Sequence, residues 1–246
     1  MKSRPRFALI FALTTAAIIP FLSTGDAMAE GNVTKAERTV GEFQQLELQD
    51  SIDVYLTQGP VKPAVIEAEE SLISQVELVK TNKVLQVRMK HDSFFGSHHF
   101  SSHHPINVYL TAPDVNSLSV AGSGDIKLTG KLSEKDRINV SLSGSGGVSG
   151  ELNAPTVKAS IAGSGDIKVN GKTRDLNVAI AGSGSFDGPA LLSENTSVSV
   201  VGSGDAHVYA SKELTVRIAG SGDVTYSGEP QVSSKVIGSG SVQKKK

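Results

Sequence analysis

Five of the six histidines in this 246-residue chain, His91, His98, His99, His103 and His104, fall between positions 91 and 104. Neutral imidazole is the commonest metal ligand, and His-rich tracts bind Zn²⁺, Ni²⁺ or Cu²⁺. Two pairs, His98-His99 and His103-His104, are separated by Phe100-Ser101-Ser102 and would converge if the loop folds back. These four are the candidate metal ligands. Against them, no Asp or Glu lies inside the pairs, and the Ser/Gly-rich setting reads as an exposed loop. Phe94, Phe95 and Phe100 in the same stretch read equally as packing anchors or as a contact patch.

A second candidate is the aspartate that follows Gly-Ser-Gly, since glycine-aspartate repeats bind Ca²⁺ between turns of β-rolls. Those repeats have a nine-residue period, whereas this column reads Asp125, Gly147, Asp166, Ser185, Asp205, Asp223, Ser241 at intervals about twice as long. Only Asp205 and Asp223 fall in consecutive copies, so solvated corner aspartates are the favoured reading. Catalysis has less support still. Glycan-cleaving β-helices need paired carboxylates or a basic residue on long loops that wall a cleft. The returns here are a few residues long, and GxSxG, HExxH and phosphate loops are missing from the sequence. The expectation is a non-enzyme without a cofactor.

The elements that would position these groups follow from a repeat. Gly-Ser-Gly starts at Gly122, Gly144, Gly163, Gly182, Gly202, Gly220 and Gly238, at intervals of 22, 19, 19, 20, 18 and 18 residues. Two residues before each copy stand Val120, Leu142, Ile161, Ile180, Val200, Ile218 and Val236. Four before stand Leu118, Val140, Ala159, Val178, Val198, Val216 and Ser234, with small or polar residues between the two columns. After each copy, Ile126, Val148, Ile167, Phe186, Ala206, Val224 and Val242 resume the alternation. Period two means strands with one buried face. Each copy therefore reads strand, glycine corner, strand, short return.

One such unit cannot bury its own apolar face, but stacked units can. The pattern predicts an all-β, single-chain parallel β-helix (β-solenoid) of about seven Gly-Ser-Gly coils over residues 114–243. The alternative is a meander or barrel of hairpins; Asn170-Gly171 and Asp187-Gly188 are the few turns that would suit it. Residues 43–113 alternate at Leu46, Leu48, Ile52, Val54, Leu56, at Leu85, Val87, Met89 and at Ile106, Val108, Leu110, without Gly-Ser-Gly. They read as a cap or as less regular coils, with a short helical turn near 69–75. Residues 30–42 read as a flexible segment. Lys244-Lys245-Lys246 is a basic tail that would discourage edge pairing at the last coil.

Composition agrees with this picture. The chain has no Cys or Trp and only 5% aromatics, which rules out disulfides, thiolate metal sites and cysteine nucleophiles. Of its 25 glycines, 20 lie between Gly122 and Gly240. Lys2, Arg4 and Arg6 precede the apolar run Phe7–Leu22, and Ala27-Met28-Ala29 gives a cleavage site: residues 1–29 read as a signal peptide. Its removal leaves 21 basic and 24 acidic residues, a net charge of −3 that draws in no nucleic acid. No later stretch is apolar enough to span a membrane, so the mature chain is expected in the periplasm or at the cell surface.

Asp50-Ser51-Ile52-Asp53-Val54-Tyr55-Leu56-Thr57-Gln58-Gly59, then Ile106-Asn107-Val108-Tyr109-Leu110-Thr111-Ala112-Pro113, then Leu118-Ser119-Val120-Ala121-Gly122-Ser123-Gly124-Asp125-Ile126 carry a family resemblance. In this order they resemble the putative auto-transporter adhesin head (GIN) domain proteins of bacterial envelopes. The resemblance implies an exported β-helical domain and brings no catalytic residues. The resulting expectation is a non-catalytic protein for surface adhesion or envelope scaffolding, with a glycan or an envelope protein as partner. The other reading is a periplasmic metal-binding or envelope stress protein acting through the histidine loop.

Overall fold

Alternation around a glycine corner produces two parallel sheets that meet at that corner. The computed structural model describes residues 33–90 and 104–245, within the unit Gly31–Lys246. The N-terminal part carries β1 (Val33–Arg38), β2 (Gln45–Asp50), β3 (Asp53–Gln58), β4 (Ala64–Glu69), the helix α1 (Glu70–Ile73), β5 (Val76–Thr81), β6 (Val84–Met89) and β7 (Asn107–Ala112). The first repeat strands are β8 (Ser117–Gly122), β9 (Asp125–Ser133), β10 (Arg137–Gly144), β11 (Gly147–Gly163) and β12 (Asp166–Gly182). Then come β13 (Ser185–Gly188), β14 (Leu191–Leu192), β15 (Asn195–Gly202) and β16 (Asp205–Tyr209). β17 (Glu213–Gly220), β18 (Val224–Ser227), β19 (Gln231–Gly238) and β20 (Val242–Lys244) complete the set.

The first sheet holds the strands that precede a corner. Its parallel order is β6, β2, β8, β10, the second half of β11, the second half of β12, β15, β17, β19. The second sheet holds those that follow: β7, β3, β9, then the first halves of β11 and β12, then β13, β16, β18, β20. This is the parallel β-solenoid of about seven Gly-Ser-Gly turns that the repeat predicts; the antiparallel hairpin of β5 and β6 lies outside those turns. Register keeps every corner glycine beside the next, as Gly144↔Gly163 and Gly163↔Gly182. The inward columns are buried as read, from Val120 and Leu142 to Val200 and Ile218 before the corner, and from Ile126 to Val224 after it. The exception is β19, exposed along its length, where Val236 has no described coil above it.

The 22-residue interval between Gly122 and Gly144 has a local cause. Ser149 and Glu151 pair with Lys127 and Lys131, so two extra residues bulge from β9. The third extra residue lies in the return, where Ser133 and Arg137 face Asn153 and Thr156.

Residues 43–113 prove to be both coils and cap. β2 and β3, joined through Asp50-Ser51-Ile52, form a coil in which Asp50 stands beside Gly122. β6 and β7 form another coil outside it. The chain reaches that outer position through β4, α1 and β5. β4 runs antiparallel to β1 and β7, and β5 antiparallel to β6, so the parallel stacking stops there. The short turn expected near 69–75 is α1, which buries Leu72. Residues 30–42, read as flexible, carry β1. Its alternation is only exposed to half-buried, so no hydrophobic pattern marked it. Backbone pairing with β4, the Lys35–Glu67 ion pair at 3.1 Å and the Arg38 guanidinium donating to the Val76 and Ile73 carbonyls hold it instead.

The two glycines of a corner do different work. Gly122 has φ +138°, a region open to few other residues, and a Cβ there would lie 2.6 Å from the Asp50 carbonyl oxygen. The second glycine, as at Gly184, has an ordinary φ but would drive a Cβ into the Gly165 carbonyl and the Ile161 side chain. Gly182 combines positive φ (+127°) with a backbone clash, whereas Gly130 has positive φ (+96°) in open space. Gly182→Ala should therefore lower stability by about 3 kcal/mol and Gly130→Ala by about 1 kcal/mol. Equal losses on thermal unfolding would sink the close-approach explanation. Because Gly163 and Gly182 are in register, deleting Ser164–Gly182 should leave a shorter folded solenoid with an unchanged β-type circular dichroism shape. Collapse of the fold would contradict purely nearest-neighbour stacking.

Candidate functional site

Corner carboxylates act first on the backbone. The Asp223 N–H donates to Asp205 Oδ1 at 2.8 Å, and the Ser241 N–H and hydroxyl donate to Asp223 Oδ1, also at 2.8 Å. At the other end the Asp125 N–H donates to Asp53 Oδ1 at 3.3 Å. Each aspartate thus accepts from the equivalent residue one coil onward. The sequence reading placed them correctly in corners but did not foresee this inter-coil bond. Among the described residues no group of three or more His, Asp or Glu is arranged to hold a metal ion.

Of the candidate metal ligands, His98, His99 and His103 lie outside the described residues, as do His91 and the three phenylalanines. His104 is half-buried, and its backbone N–H donates to Glu69 Oε1 at 3.2 Å. The sixth histidine, His207, sits on the second sheet with Nδ1 3.4 Å from Asp187 Oδ1.

The outward faces are ladders. On the first sheet Ser119, Ser141, Ser160, Ala179, Ser199 and Arg217 stand in register, with Ala121, Ser143, Ala162, Ala181 and Val201 as the neighbouring row. Val201 is 57% exposed. The second sheet is more charged and begins with an aromatic step. The Tyr109 and Tyr55 rings stack at 5.0 Å, and the Lys127 ammonium lies 5.4 Å over Tyr55. Lys127 Nζ also donates to Asp53 at 2.8 Å, and this bond holds its pKa above the usual lysine value. Burial and the neighbouring Glu67 push the Tyr109 phenol up as well. Rings and charges are mutually engaged, so this row binds the cap to the coils.

Shallow depressions among the described residues include two with charged edges. One, of about 230 Å³, lies at Gly147 between Asp125 and Asp166. The other, of about 290 Å³, lies on the returns beside Glu134, Asn153, Lys172 and Arg174. Next to Arg174, the Asp175 carboxyl is held below the usual range by the Asn195 amide and then by Arg174, each at 2.9 Å. Glu134 behaves oppositely. Its Oε1 is shielded without a partner, and burial raises its pKa despite N–H groups from Val115 and Lys135.

A carboxyl whose folded pKa exceeds its unfolded one adds stability only below the unfolded value and loses it as pH rises through the folded one. Glu134→Gln keeps an oxygen for the two N–H groups and removes the charge. Its melting temperature should exceed the parent's at pH 7 by about 2 °C, a gap that closes towards pH 4. An unchanged or lower melting temperature at pH 7 would contradict the burial cost.

With the geometry in place, likeness to known proteins becomes informative. A putative adhesin from Bacteroides fragilis superposes with TM-score 0.77 at 20% identity, covering 87% of this chain and 97% of that one. A putative lipid-binding protein from Parabacteroides distasonis gives TM-score 0.71 at 21% identity, covering 88% and 98%. A putative adhesin from Parabacteroides merdae gives 0.69 at 20%, covering 88% and 98%. At these identities the likeness is one of fold. No curated protein matches the sequence. The family model described as putative auto-transporter adhesin, head GIN domain matches residues 42–230, from the first coil through β18. On that match, this chain belongs to the putative auto-transporter adhesin head (GIN) domain family.

Proposed function

We propose that this protein is exported and works without catalysis, as an adhesive or scaffolding surface of the cell envelope. The observation that carries the reading is the outward ladder of the first sheet, where short polar and apolar side chains stand in register over successive coils. Such a face is flat and stiff, because every strand beneath it is paired on both sides up to β17. Binding there immobilises few side chains, so little conformational entropy opposes it. Glycans or envelope proteins are the matching partners. Family membership supports adhesion. The basic start, the apolar run Phe7–Leu22 and Ala27-Met28-Ala29 support export, and no described helix is long and apolar enough to cross a membrane.

Export is tested by fusing alkaline phosphatase after Lys246 in a bacterial host. The expected result is an active reporter on a chain whose N-terminus is Glu30; an inactive cytoplasmic fusion would overturn export. Adhesion is tested by applying the labelled secreted chain to an array of glycans and matrix proteins. The double variant Ser160→Glu/Ser199→Glu, which charges the ladder, should lower the retained signal about tenfold, a loss of about 1.4 kcal/mol. Failure of the parent chain to bind any spot would reject the adhesive reading.

A further inference from the structure

Gly147 is a glycine that the fold does not demand. It follows the Gly144-Ser145-Gly146 corner in the column otherwise filled by residues such as Asp125, Asp166, Ser185 and Asp205. Unlike the first glycine of each corner it has no positive φ, and, in contrast to either corner glycine, an added Cβ there would meet no backbone atom closer than 3.4 Å. Its nearest neighbour would be Asp125 Oδ1 at 3.0 Å, the far end of an exposed side chain. Avoiding three stacked carboxylates does not require glycine, because serine serves that purpose at Ser185. What glycine alone provides is the missing side chain, and with it the 230 Å³ depression.

The lining selects the ligand chemistry. Asp125 and Asp166 flank the gap, Ser145, Ser149 and Lys168 edge it, and the bare Gly146-Gly147 backbone floors it. Two strand spacings, about 9.6 Å, separate the Asp125 and Asp166 backbones. Asp166 Oδ1 accepts from the Ser185 hydroxyl on the far coil and Asp125 Oδ2 lies 3.6 Å from the Lys127 ammonium, so the two carboxylates are not aimed together at one cation. Anions would face two carboxylates, while cations would face the Lys168 ammonium. A neutral, hydroxyl-rich molecule suits all of these groups at once. Its hydroxyls donate to the carboxylates on either side and accept from the Lys168 ammonium and the serine hydroxyls. A ring's C–H face can rest on backbone that no Cβ covers.

We infer that the gap at Gly147 is a subsite for one neutral pyranose unit of a glycan. This deepens the adhesive reading and rests on it, naming the ligand class and the place. Affinity at a single shallow subsite belongs in the millimolar range, about 4 kcal/mol.

Saturation-transfer NMR on the secreted chain, with glucose, galactose, mannose and N-acetylglucosamine each at about 5 mM, tests it directly. At least one sugar should receive transfer, unaffected by EDTA. Gly147→Ser, which fills the gap with a side chain the same column already holds, should reduce that transfer at least fivefold without moving the melting temperature. Should that variant fail to fold, Asp125→Asn serves instead, since it keeps the volume and removes one acceptor charge, and the same loss is expected. No transfer from any of the four sugars, transfer undiminished in the folded variant, or transfer abolished by EDTA would each overturn the subsite. Array binding with no sugar transfer rejects the subsite alone, whereas silence in both experiments rejects adhesion as well.

Discussion

Everything in this solenoid depends on how closely one coil's corner approaches the next. The carbonyl of the first corner glycine accepts two N–H groups from the coil above: Ser183 and Gly184 both donate to Gly163, at 2.9 and 3.0 Å. Ser164 and Gly165 do the same to Gly144, and Ser145 and Gly146 to Gly122. A shared acceptor of this kind leaves no room for a Cβ on either glycine. The constraint also fixes register, because the doubly used carbonyl can be reached from one corner position only. With the corners locked, a shift of one residue would turn every inward Val, Ile and Leu outward.

The corner survives even where its sequence does not. At the second coil Ser123 and Gly124 donate to the Asp50 carbonyl, at 3.1 and 3.0 Å, so Asp50-Ser51-Ile52 serves as a corner. Asp50 adopts φ +67°, which aspartate tolerates better than most residues, and its carboxylate accepts the Met89 N–H at 2.9 Å. Ile52 stands in the second glycine's place and is buried in the core. Gln58 adds a further stitch, donating to the Pro113 and Ser133 carbonyls and accepting from the Ser133 N–H.

These bonds explain which features the sequence could reveal. Gly-Ser-Gly and the alternating columns are local and repeated, so coil number, inward residues and outward ladders were readable directly. The order of the first two coils was not. Nothing local in β6 says that it pairs with β2 from the far side, since that depends on the antiparallel path through β4 and β5. β1 was invisible because backbone pairing, an ion pair and the Arg38 guanidinium hold it, none of which leaves a hydrophobic pattern. The aspartates were placed correctly and understood incompletely: their partners are N–H groups 18 to 72 residues away. The gap at Gly147 was present in the column as an interruption, but its meaning needed the contrast between glycines that touch backbone and one that does not.

That contrast separates structure from function more generally in this architecture. Inward columns are fixed by packing and corner glycines by contact, so the outward positions that alternate with them are those whose side chains can be exchanged without disturbing the coil. Outward residues fall into two kinds. Some are engaged with one another, as Lys127 is with Asp53 and Tyr55, or Lys212 with Glu194 at 2.6 Å. Others have neighbours but no obligation to them, as in the serine and alanine rows of the first sheet. A face built from the second kind can change its chemistry without altering the coil beneath it. Departures from the repeat, such as the missing side chain at Gly147, are therefore where such a face can gain a contact of its own.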